Sequence, residues 1–195
     1  MTAFSIHKPL FLLTLFMYAG CALQPAEIPQ AHQQFNLAVV FDIDGTLTPD
    51  LLSISTPRED AATAVQHYAA NGYAIVYLSA RVRWLQSGIP DWLADNGFPP
   101  GIIHVPQRFS ESSDPVPFKS RILNAYQSKG WQLFAAYGDS SEDFEAYHNA
   151  GIDPGRIFAL RGSNKESCQP GIWAACLATW STHLSDIQQT LKTAR

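Results

Sequence analysis

The sequence predicts an α/β domain in which helices cover both faces of a mostly parallel sheet of about five strands. Short apolar runs alternate along the chain with segments of helical periodicity, which is the pattern of β-α-β units. The first run, at residues 37–41, is apolar at every position, as is typical of a strand covered on both faces. The 195 residues are enough for one domain with a full core. We therefore expect a doubly wound, Rossmann-like sheet.

Apolar runs locate the predicted strands, and capping residues and glycines locate the helices. The first helix is expected to begin at a capping box in residues 56–59 and to end at Gly72. The intervals between strands leave room for helices and loops, so we expect a small cap or none. The strands are predicted at residues 37–41, 74–78, 102–105, 133–137 and 157–160. The later helices are predicted at residues 84–96, 117–129, 142–149 and 181–193.

The charge balance argues against one class of partner. The chain carries 13 Lys and Arg against 17 Asp and Glu, a formal net charge of −4, and its sequence has no basic run. Nucleic-acid binding depends on clustered basic side chains, so no nucleic-acid partner is expected. No apolar stretch of the sequence reaches the roughly 20 residues that span a bilayer.

The first residues have the pattern of an export signal. Lys8 precedes an apolar stretch at residues 10–20, and small residues stand at its end, which is typical of a secretory signal peptide. The segment Tyr18-Ala19-Gly20-Cys21 resembles the bacterial lipoprotein cleavage box, which implies a signal peptide at residues 1–20 and lipidation of Cys21. The alternative is an ordinary cleaved signal with an incidental cysteine.

Cleavage before Cys21 would divide the chain into a tether at residues 21–36 and a domain at residues 37–195. The tether is proline-containing and polar. Because Ala22 rather than Asp follows Cys21, the lipoprotein resemblance implies a periplasmic protein anchored to the outer membrane.

The remaining two cysteines fit an oxidising compartment. With Cys21 lipidated, Cys168 and Cys176 are left as an even pair, which predicts a disulfide. The alternative is two buried thiols. No second pair of Cys or His stands at zinc-ligand spacing near them in the sequence.

Polar residues follow the predicted strands at the edge where ligands bind in parallel sheets. Asp42 and Asp44 come directly after the first strand, and Asp139 comes after the fourth. Residues i and i+2 of an extended segment point to the same side, so the first two carboxylates would repel each other unless a cation or a proton lay between them. Mg²⁺ prefers carboxylate and water ligands. The sequence therefore predicts Mg²⁺ bound by Asp42, Asp44 and Asp139.

A second group of residues suits a tetrahedral phosphate beside that ion. Ser79 offers a hydroxyl after the second strand, and Lys119 offers an ammonium. Gly45 allows the sharp turn after the carboxylates, and the hydroxyl of Thr46 is expected to orient one of them. Asp143 is expected to support the metal site or the Lys119 ammonium.

This set is chemically sufficient for phosphoryl transfer, which depends on positioning and charge neutralisation. Asp42 is the predicted nucleophile, forming an aspartyl-phosphate, and Asp44 is the predicted acid and base. Arg81 has two interpretations, a partner for the substrate phosphate or a partner for a surface acid.

Taken together, these motifs resemble the haloacid dehalogenase superfamily. Its first motif is matched by residues 42–46, its second by Ser79, its third by Lys119, and its fourth by Gly138-Asp139 with Asp143. The resemblance covers about residues 37–160 and implies a Rossmann-like fold, a Mg²⁺ cofactor and phosphatase activity.

Within the superfamily, the chain is similar to the lipin phosphatidate phosphatases and to the related domain of phosphatidylinositol transfer proteins. One position departs from the lipins, which usually have Asn where this chain has Asp139, and their amino-terminal region has no counterpart in this sequence. The segments that carry the similarity are residues 77–81 (YLSAR), 118–119 (FK), 135–138 (AAYG), 146–147 (AY), 151–152 (GI) and 156–158 (RIF).

We therefore expect a Mg²⁺-dependent phosphomonoester hydrolase that acts on a phospholipid such as phosphatidate. Two alternatives stay open. One keeps the chemistry but takes a small periplasmic phosphomonoester, such as a nucleotide or sugar phosphate. The other is a non-catalytic lipid-binding module, which the presence of Asp42 disfavours.

Overall fold

The computed structural model describes residues 22–50 and 55–191, and it confirms the predicted α/β class. A single parallel sheet has the strand order β3-β2-β1-β4-β5-β6. The sheet has six strands rather than about five. The strands are β1 (Leu37–Phe41), β2 (Ala74–Leu78), β3 (Ile102–His104), β4 (Gln132–Gly138), β5 (Ile157–Leu160) and β6 (Ala175–Leu177).

The sixth strand lay outside the sequence prediction because it is short and lies at an edge. β6 has three residues, of which only Leu177 is buried, and it pairs with β5 alone. Its residues lie within the apolar run at 172–178 (IWAACLA), for which no strand was predicted and of which only three residues form one. A disulfide joins Cys168, in the loop after β5, to Cys176, the middle residue of β6.

Helices lie on both faces of the sheet, as predicted. One core contains residues of α1, α2 and α6, and the other contains residues of α4 and α5. A short 3₁₀ turn at Arg83–Leu85 precedes α2, and the five-residue helix α3 was not predicted. The helices are α1 (Ala61–Ala70), α2 (Ile89–Asp95), α3 (Phe109–Ser113), α4 (Pro115–Ser128), α5 (Ser141–Asn149) and α6 (Leu184–Thr190).

Helix α1 begins later than the capping pattern predicts. It starts at Ala61, after Asp60 in the left-handed region with φ 60°, so the box at residues 56–59 caps no helix. Arg58 explains the difference, because its N–H donates to the carbonyl of Leu47 (2.7 Å) and its side chain also bonds that loop. Contacts with the loop after β1 therefore hold these residues outside the helix.

Part of the segment predicted as a tether packs against the domain. Ile28 is buried in the core on the α4 and α5 side. The indole of Trp131 donates to the carbonyl of Pro29 (2.9 Å), and the N–H of Ala31 donates to the carbonyl of Lys129 (2.9 Å). The predicted signal peptide and Cys21 lie outside the described residues. No helix within 22–50 and 55–191 is long and apolar enough to cross a membrane.

Candidate active site

The candidate site lies at the carboxyl ends of β1, β2 and β4. From β1 the chain adds β2 and β3 on one side, and it then returns to add β4, β5 and β6 on the other side of β1. The topological switch point therefore lies between β1 and β4, and ligands bind at such a point in open α/β sheets. A cleft of about 400 Å³ opens there. It is lined by Asp42, Asp44, Ala80, Arg81, Val82, Leu85, Ser112, Pro115, Lys119, Asp139, Ser140 and Asp143.

A buried lysine joins two carboxylates at the floor of this cleft. Lys119, in α4, places its Nζ 2.7 Å from Oδ1 of Asp42 and also pairs with Oδ1 of Asp143, in α5. The three residues are between 1% and 3% exposed. Burial alone would lower the pKa of Lys119, but the charges of Asp143 and Asp42 outweigh it and raise that pKa, so the ammonium stays charged.

Asp42, Asp139 and Asp143 form a carboxylate cluster around this lysine. Each offers an oxygen within 4.8 Å of the others. Burial, together with the neighbouring carboxylates, raises the pKa of Asp42 well above its usual range in spite of Lys119. Burial and the charge of Asp143 raise the pKa of Asp139 to about 7. The cluster therefore holds more negative charge than one ammonium neutralises.

This cluster fits a divalent cation. Three carboxylates whose oxygens lie within 4.8 Å of one another repel each other unless a cation or a proton lies between them. Carboxylate oxygens are the ligands that Mg²⁺ prefers. Of the predicted metal ligands, Asp42 and Asp139 lie together, whereas the third carboxylate of the cluster belongs to Asp143 instead of Asp44.

The Asp44 carboxylate is directed to other partners. Its Oδ1 accepts from the guanidinium of Arg81 (2.5 Å), and its Oδ2 accepts from the hydroxyl of Ser79 (2.8 Å). The backbone N–H of Arg81 donates in turn to Ser79 Oγ (3.0 Å). Arg81 thus contacts a carboxylate of the site itself, and Ser79 links the turn after β2 to Asp44.

Position 45 requires glycine for two reasons, its backbone conformation and the nearness of the Asp139 carboxylate. Its φ of 86° lies in the left-handed region. A Cβ atom at this position would overlap the carboxylate of Asp139, across the gap between β1 and β4. The glycine therefore lets the two strand ends, and with them Asp42 and Asp139, come together.

Thr48, rather than Thr46, makes the side-chain hydrogen bonds of this loop. Thr48 Oγ1 accepts from the N–H of Gly45 (3.0 Å) and donates to the carbonyl of Ile43 (3.3 Å) or of Asp50 (3.1 Å). The hydroxyl of Thr46 is buried and has no hydrogen-bond partner among the described residues, so it does not orient a carboxylate as expected. The carbonyl of Thr46 accepts from the indole of Trp180 (3.0 Å).

Arg58 is the site residue that sequence reasoning missed most clearly. Its guanidinium donates to the carbonyls of Gly45 (2.7 Å), Thr48 (3.1 Å) and Pro49 (3.3 Å) in the loop after β1, and to that of Arg161 (2.9 Å) after β5. Burial lowers its pKa, while Asp139 acts in the opposite direction. No local pattern distinguishes it, because the carbonyls it binds come from distant turns.

Asp143 combines capping with its contact to Lys119. Its Oδ2 accepts from the backbone N–H of Ser140 (3.2 Å), and the N–H of Asp143 donates to Ser140 Oγ (3.2 Å), which completes a capping box at the start of α5. Its Oδ1 is left for Lys119. The cap fixes the rotamer of Asp143 and thereby the position of the ammonium.

A larger cleft of about 780 Å³ adjoins the first at Asp139. Its other walls are Pro49, Asp50 and the loop at residues 162–170, which ends in the disulfide. The site thus opens on two sides of Asp139.

Comparison with known proteins identifies the family. The family described as PITM 1-3, LNS2 domain, matches residues 39–161. The protein retinal degeneration B of Drosophila melanogaster is 34% identical over 126 residues, 63% of this chain and 10% of that protein. Membrane-associated phosphatidylinositol transfer protein 3 of Mus musculus is 31% identical over 134 residues, 66% of this chain and 13% of that protein. The chain spans about a tenth of the length of these relatives.

Solved structures share the fold at low sequence identity. D,D-heptose 1,7-bisphosphate phosphatase from B. bronchiseptica, complexed with magnesium and phosphate, has a TM-score of 0.58 at 16% identity, over 80% of this chain and 99% of its own. The cobalt-bound deoxy-D-mannose-octulosonate 8-phosphate phosphatase from Haemophilus influenzae has a TM-score of 0.52 at 16% identity, over 81% and 91%. The chain belongs to the LNS2 domain family, built on the fold of the haloacid dehalogenase superfamily phosphatases.

Proposed function

We propose that the chain is a Mg²⁺-dependent phosphomonoester hydrolase that forms an aspartyl-phosphate on Asp42. The observation that carries the proposal is Oδ2 of Asp42, a buried carboxylate oxygen at the floor of the cleft that accepts no hydrogen bond from residues 22–50 or 55–191. Its other oxygen is held by Lys119. The nucleophile is therefore fixed in place with one oxygen left for phosphorus.

Asp42 and Asp139, with Asp143 beside them, are the residues that would hold Mg²⁺. The ion would supply the positive charge that keeps these carboxylates ionised and offsets the charge of the phosphate oxygens. Lys119 neutralises part of that charge already and holds Asp42 and Asp143 at a fixed separation.

The chemistry follows from the two acids after β1. Asp42 Oδ2 attacks phosphorus in line, the ester P–O bond breaks, and Asp44, which takes up a proton from solvent when it separates from Arg81, gives that proton to the leaving alkoxide. Asp44 then takes a proton from water, the water oxygen attacks phosphorus, and the bond to Asp42 breaks. The products are an alcohol and inorganic phosphate, and both carboxyl groups return to their starting states.

Asp44 has to leave Arg81 before it can act. In the structure the guanidinium and the Ser79 hydroxyl hold both oxygens of Asp44. A substrate phosphate offers the guanidinium the same bidentate geometry as a carboxylate. We therefore assign to Arg81 and Ser79 the binding of the phosphate, in exchange for Asp44.

Replacement of the nucleophile tests the proposal. Asp42→Asn is expected to lower the Mg²⁺-dependent hydrolysis of an aryl phosphate by at least about 10³-fold, because an amide cannot form the phosphoenzyme. EDTA should stop the wild-type reaction. The matched control is Asp95→Asn, an exposed aspartate of α2. Circular dichroism checks that both variants are folded, and full activity of Asp42→Asn would exclude the mechanism.

For the substrate we propose a phospholipid such as phosphatidate. The support comes from the relatives, which are named as membrane-associated phosphatidylinositol transfer proteins. The sugar phosphates in the names of the solved structures favour the alternative of a small periplasmic phosphomonoester. Values of kcat/KM for phosphatidate in mixed micelles and for soluble phosphomonoesters would separate the two. Binding of phosphatidate without hydrolysis of any ester would instead indicate a lipid-binding module.

We also propose that the chain is exported and anchored through a lipid on Cys21, in the outer membrane facing the periplasm. The disulfide between Cys168 and Cys176 supports an oxidising compartment. Labelling of cells with a radioactive fatty acid tests the anchor, since Cys21→Ser should lose the label and Cys168→Ser should keep it.

A further inference from the structure

Exposed apolar side chains are concentrated beside the cleft. Within residues 22–50 and 55–191, five large apolar side chains are exposed, and three of them are Trp84 (72%), Phe109 (69%) and Leu85 (45%). The other two, Phe35 and Ile172, belong to other segments. A folded domain that leaves a tryptophan and a phenylalanine this open has apolar surface for a partner.

Two hydrogen bonds hold these side chains on one rim of the cleft. The guanidinium of Arg83 donates to the carbonyl of Gln107 (3.1 Å), and the buried amide of Gln86 donates to that of Pro106 (2.9 Å). These bonds tie the 3₁₀ turn that carries Trp84 to the residues just before Phe109. Leu85, from this turn, lines the cleft together with Ser112 and Pro115, from the α3 region.

An exposed arginine directly precedes each aromatic residue. Arg83 and Arg108 are both exposed, and neither forms an ion pair with a described residue. The rim therefore carries free positive charge in a chain whose formal net charge is −4. We call Arg83, Trp84, Leu85, Arg108 and Phe109 the aromatic rim.

We propose that the aromatic rim docks the domain on an anionic phospholipid bilayer, with the cleft facing the headgroups. The combination of exposed aromatic rings with adjacent guanidinium groups favours this partner. Trp and Phe rings enter the boundary between headgroups and acyl chains, and guanidinium groups bind lipid phosphates. The inference rests on the proposed function for its purpose, because a membrane-bound phosphoester would meet the site without leaving the bilayer.

Vesicle binding tests the docking surface. The measurement uses residues 22–195, because both hydrophobic cores are formed by residues between Leu23 and Leu191. Co-sedimentation is compared for vesicles of phosphatidylcholine alone and for vesicles that also contain phosphatidylglycerol. Trp84→Ala with Phe109→Ala should lower partition into the anionic vesicles by about tenfold or more, since most of the apolar area of the rim is lost. Phe35→Ala, at an exposed phenylalanine (48%) that lies before β1, should change it by less than about twofold.

The arginines are tested by their own variant. Arg83→Gln with Arg108→Gln should remove the preference for anionic over neutral vesicles and leave the aromatic residues in place. Thermal unfolding and circular dichroism identify a variant that is not folded. Equal binding of the wild type to both kinds of vesicle, or unchanged binding of the folded aromatic variant, would overturn the proposal.

Turnover separates this proposal from the proposed function. The aromatic variant should hydrolyse a soluble aryl phosphate as the wild type does, because neither Trp84 nor Phe109 lines the cleft. With phosphatidate in vesicles its kcat/KM should fall in parallel with binding. A chain that hydrolyses no ester but binds vesicles through the rim would contradict the proposed function and leave the docking surface established.

Discussion

Two charged groups line the same cleft, and they differ in charge balance. In the lysine cluster, Lys119 pairs with Asp42 and Asp143, and the charges of Lys119 and Arg58 both act on the third carboxylate, that of Asp139. In the arginine pair, the guanidinium of Arg81 faces the one carboxylate of Asp44. Apart from Asp139, which is half-buried, the side chains of both groups are nearly closed to solvent. The first has more negative than positive charge, and the second is balanced.

Because of this difference in charge, the lysine cluster needs a further cation or protons, and the arginine pair does not. Carboxylates that outnumber the nearby positive charges either take up protons or bind a metal. The pKa values of Asp42 and Asp139 are raised for this reason, because their charged forms are insufficiently neutralised. The arginine pair is already neutralised, so it can separate only if a substrate anion replaces Asp44. Under the proposed function, the lysine cluster would therefore bind the metal, and Arg81 would exchange Asp44 for the substrate phosphate.

Removal of the lysine should have the largest effect. Lys119→Met leaves Asp42 and Asp143 buried without their cation, which is expected to lower the free energy of unfolding by about 3–5 kcal/mol in the presence of EDTA. Urea unfolding measures the loss. Added Mg²⁺ should restore part of it, because the ion offsets the same charge. Lys165→Met, at an exposed lysine, is the control. A loss below about 1 kcal/mol would contradict the imbalance.

Removal of one excess carboxylate should weaken the metal without unfolding the protein. Asp139→Asn is expected to raise the Mg²⁺ concentration for half-maximal activity by about 10–100-fold, since a neutral amide is a poorer ligand. In EDTA the variant should be at least as stable as the wild type, because a buried like charge is gone. Mg²⁺ titration and thermal unfolding measure these two effects. Glu145→Gln, at an exposed position of α5, should change neither.

A conservative change in the arginine pair should act on the substrate rather than on the fold. Arg81→Lys keeps the charge but loses the two-pronged geometry, so kcat/KM for an aryl phosphate should fall by about tenfold. The free energy of unfolding should fall by less than in Lys119→Met, because the positive charge beside Asp44 is kept. Arg83→Lys, two residues along the chain, serves as the matched control. An unaltered kcat/KM would show that Arg81 does not bind the phosphate.

The smallest expected effect is on the pH dependence of stability, through His104. This residue is buried and titratable, and it belongs to neither the lysine cluster nor the arginine pair. Its carbonyl accepts from the N–H of Ser79 (3.1 Å), behind the arginine pair. Burial, with a contribution from Arg121, lowers its pKa from 6.5 to about 4. His104 is therefore protonated below about pH 6.5 in the unfolded chain but only below about pH 4 in the folded chain. The free energy of unfolding decreases as the pH falls from 6.5 to 4, because the unfolded chain binds more protons in this range.

Between roughly pH 7.5 and pH 5.5 this histidine is expected to cost about 1 kcal/mol of unfolding free energy. His104→Gln should remove that part of the pH dependence, as measured by urea unfolding at the two pH values. His148→Gln, at an exposed histidine of α5, should keep it. Identical pH profiles of the wild type and His104→Gln would contradict the lowered pKa.

The sequence predicted the fold where burial leaves a continuous apolar run. The bounds of β1, β2 and β5 agree with the prediction, because these strands are buried along most of their length. β6 and α3 were missed because each is short and largely exposed. The start of α1 was wrong because the contacts of Arg58 with a distant loop outweigh a local capping pattern.

For the site, topology predicted which residues meet but not how their side chains pair. Asp42 and Asp139 come together because they follow adjacent parallel strands. The pairing of Asp44 with Arg81 depends on the rotamers of two neighbouring turns, which no spacing in the sequence encodes. Trp180 and Thr46 are 134 residues apart in the chain, so their contact arises only in the folded state.

That contact bears on where the functional unit ends. The region shared with the LNS2 family stops at residue 161, yet the indole that supports the loop after β1 belongs to residue 180. A fragment cut to the shared region would retain every residue of the candidate site and lose both the β6 edge and the donor to the carbonyl of Thr46. The similarity of sequence therefore covers the residues of the candidate site, whereas the contacts that support them extend further along the chain.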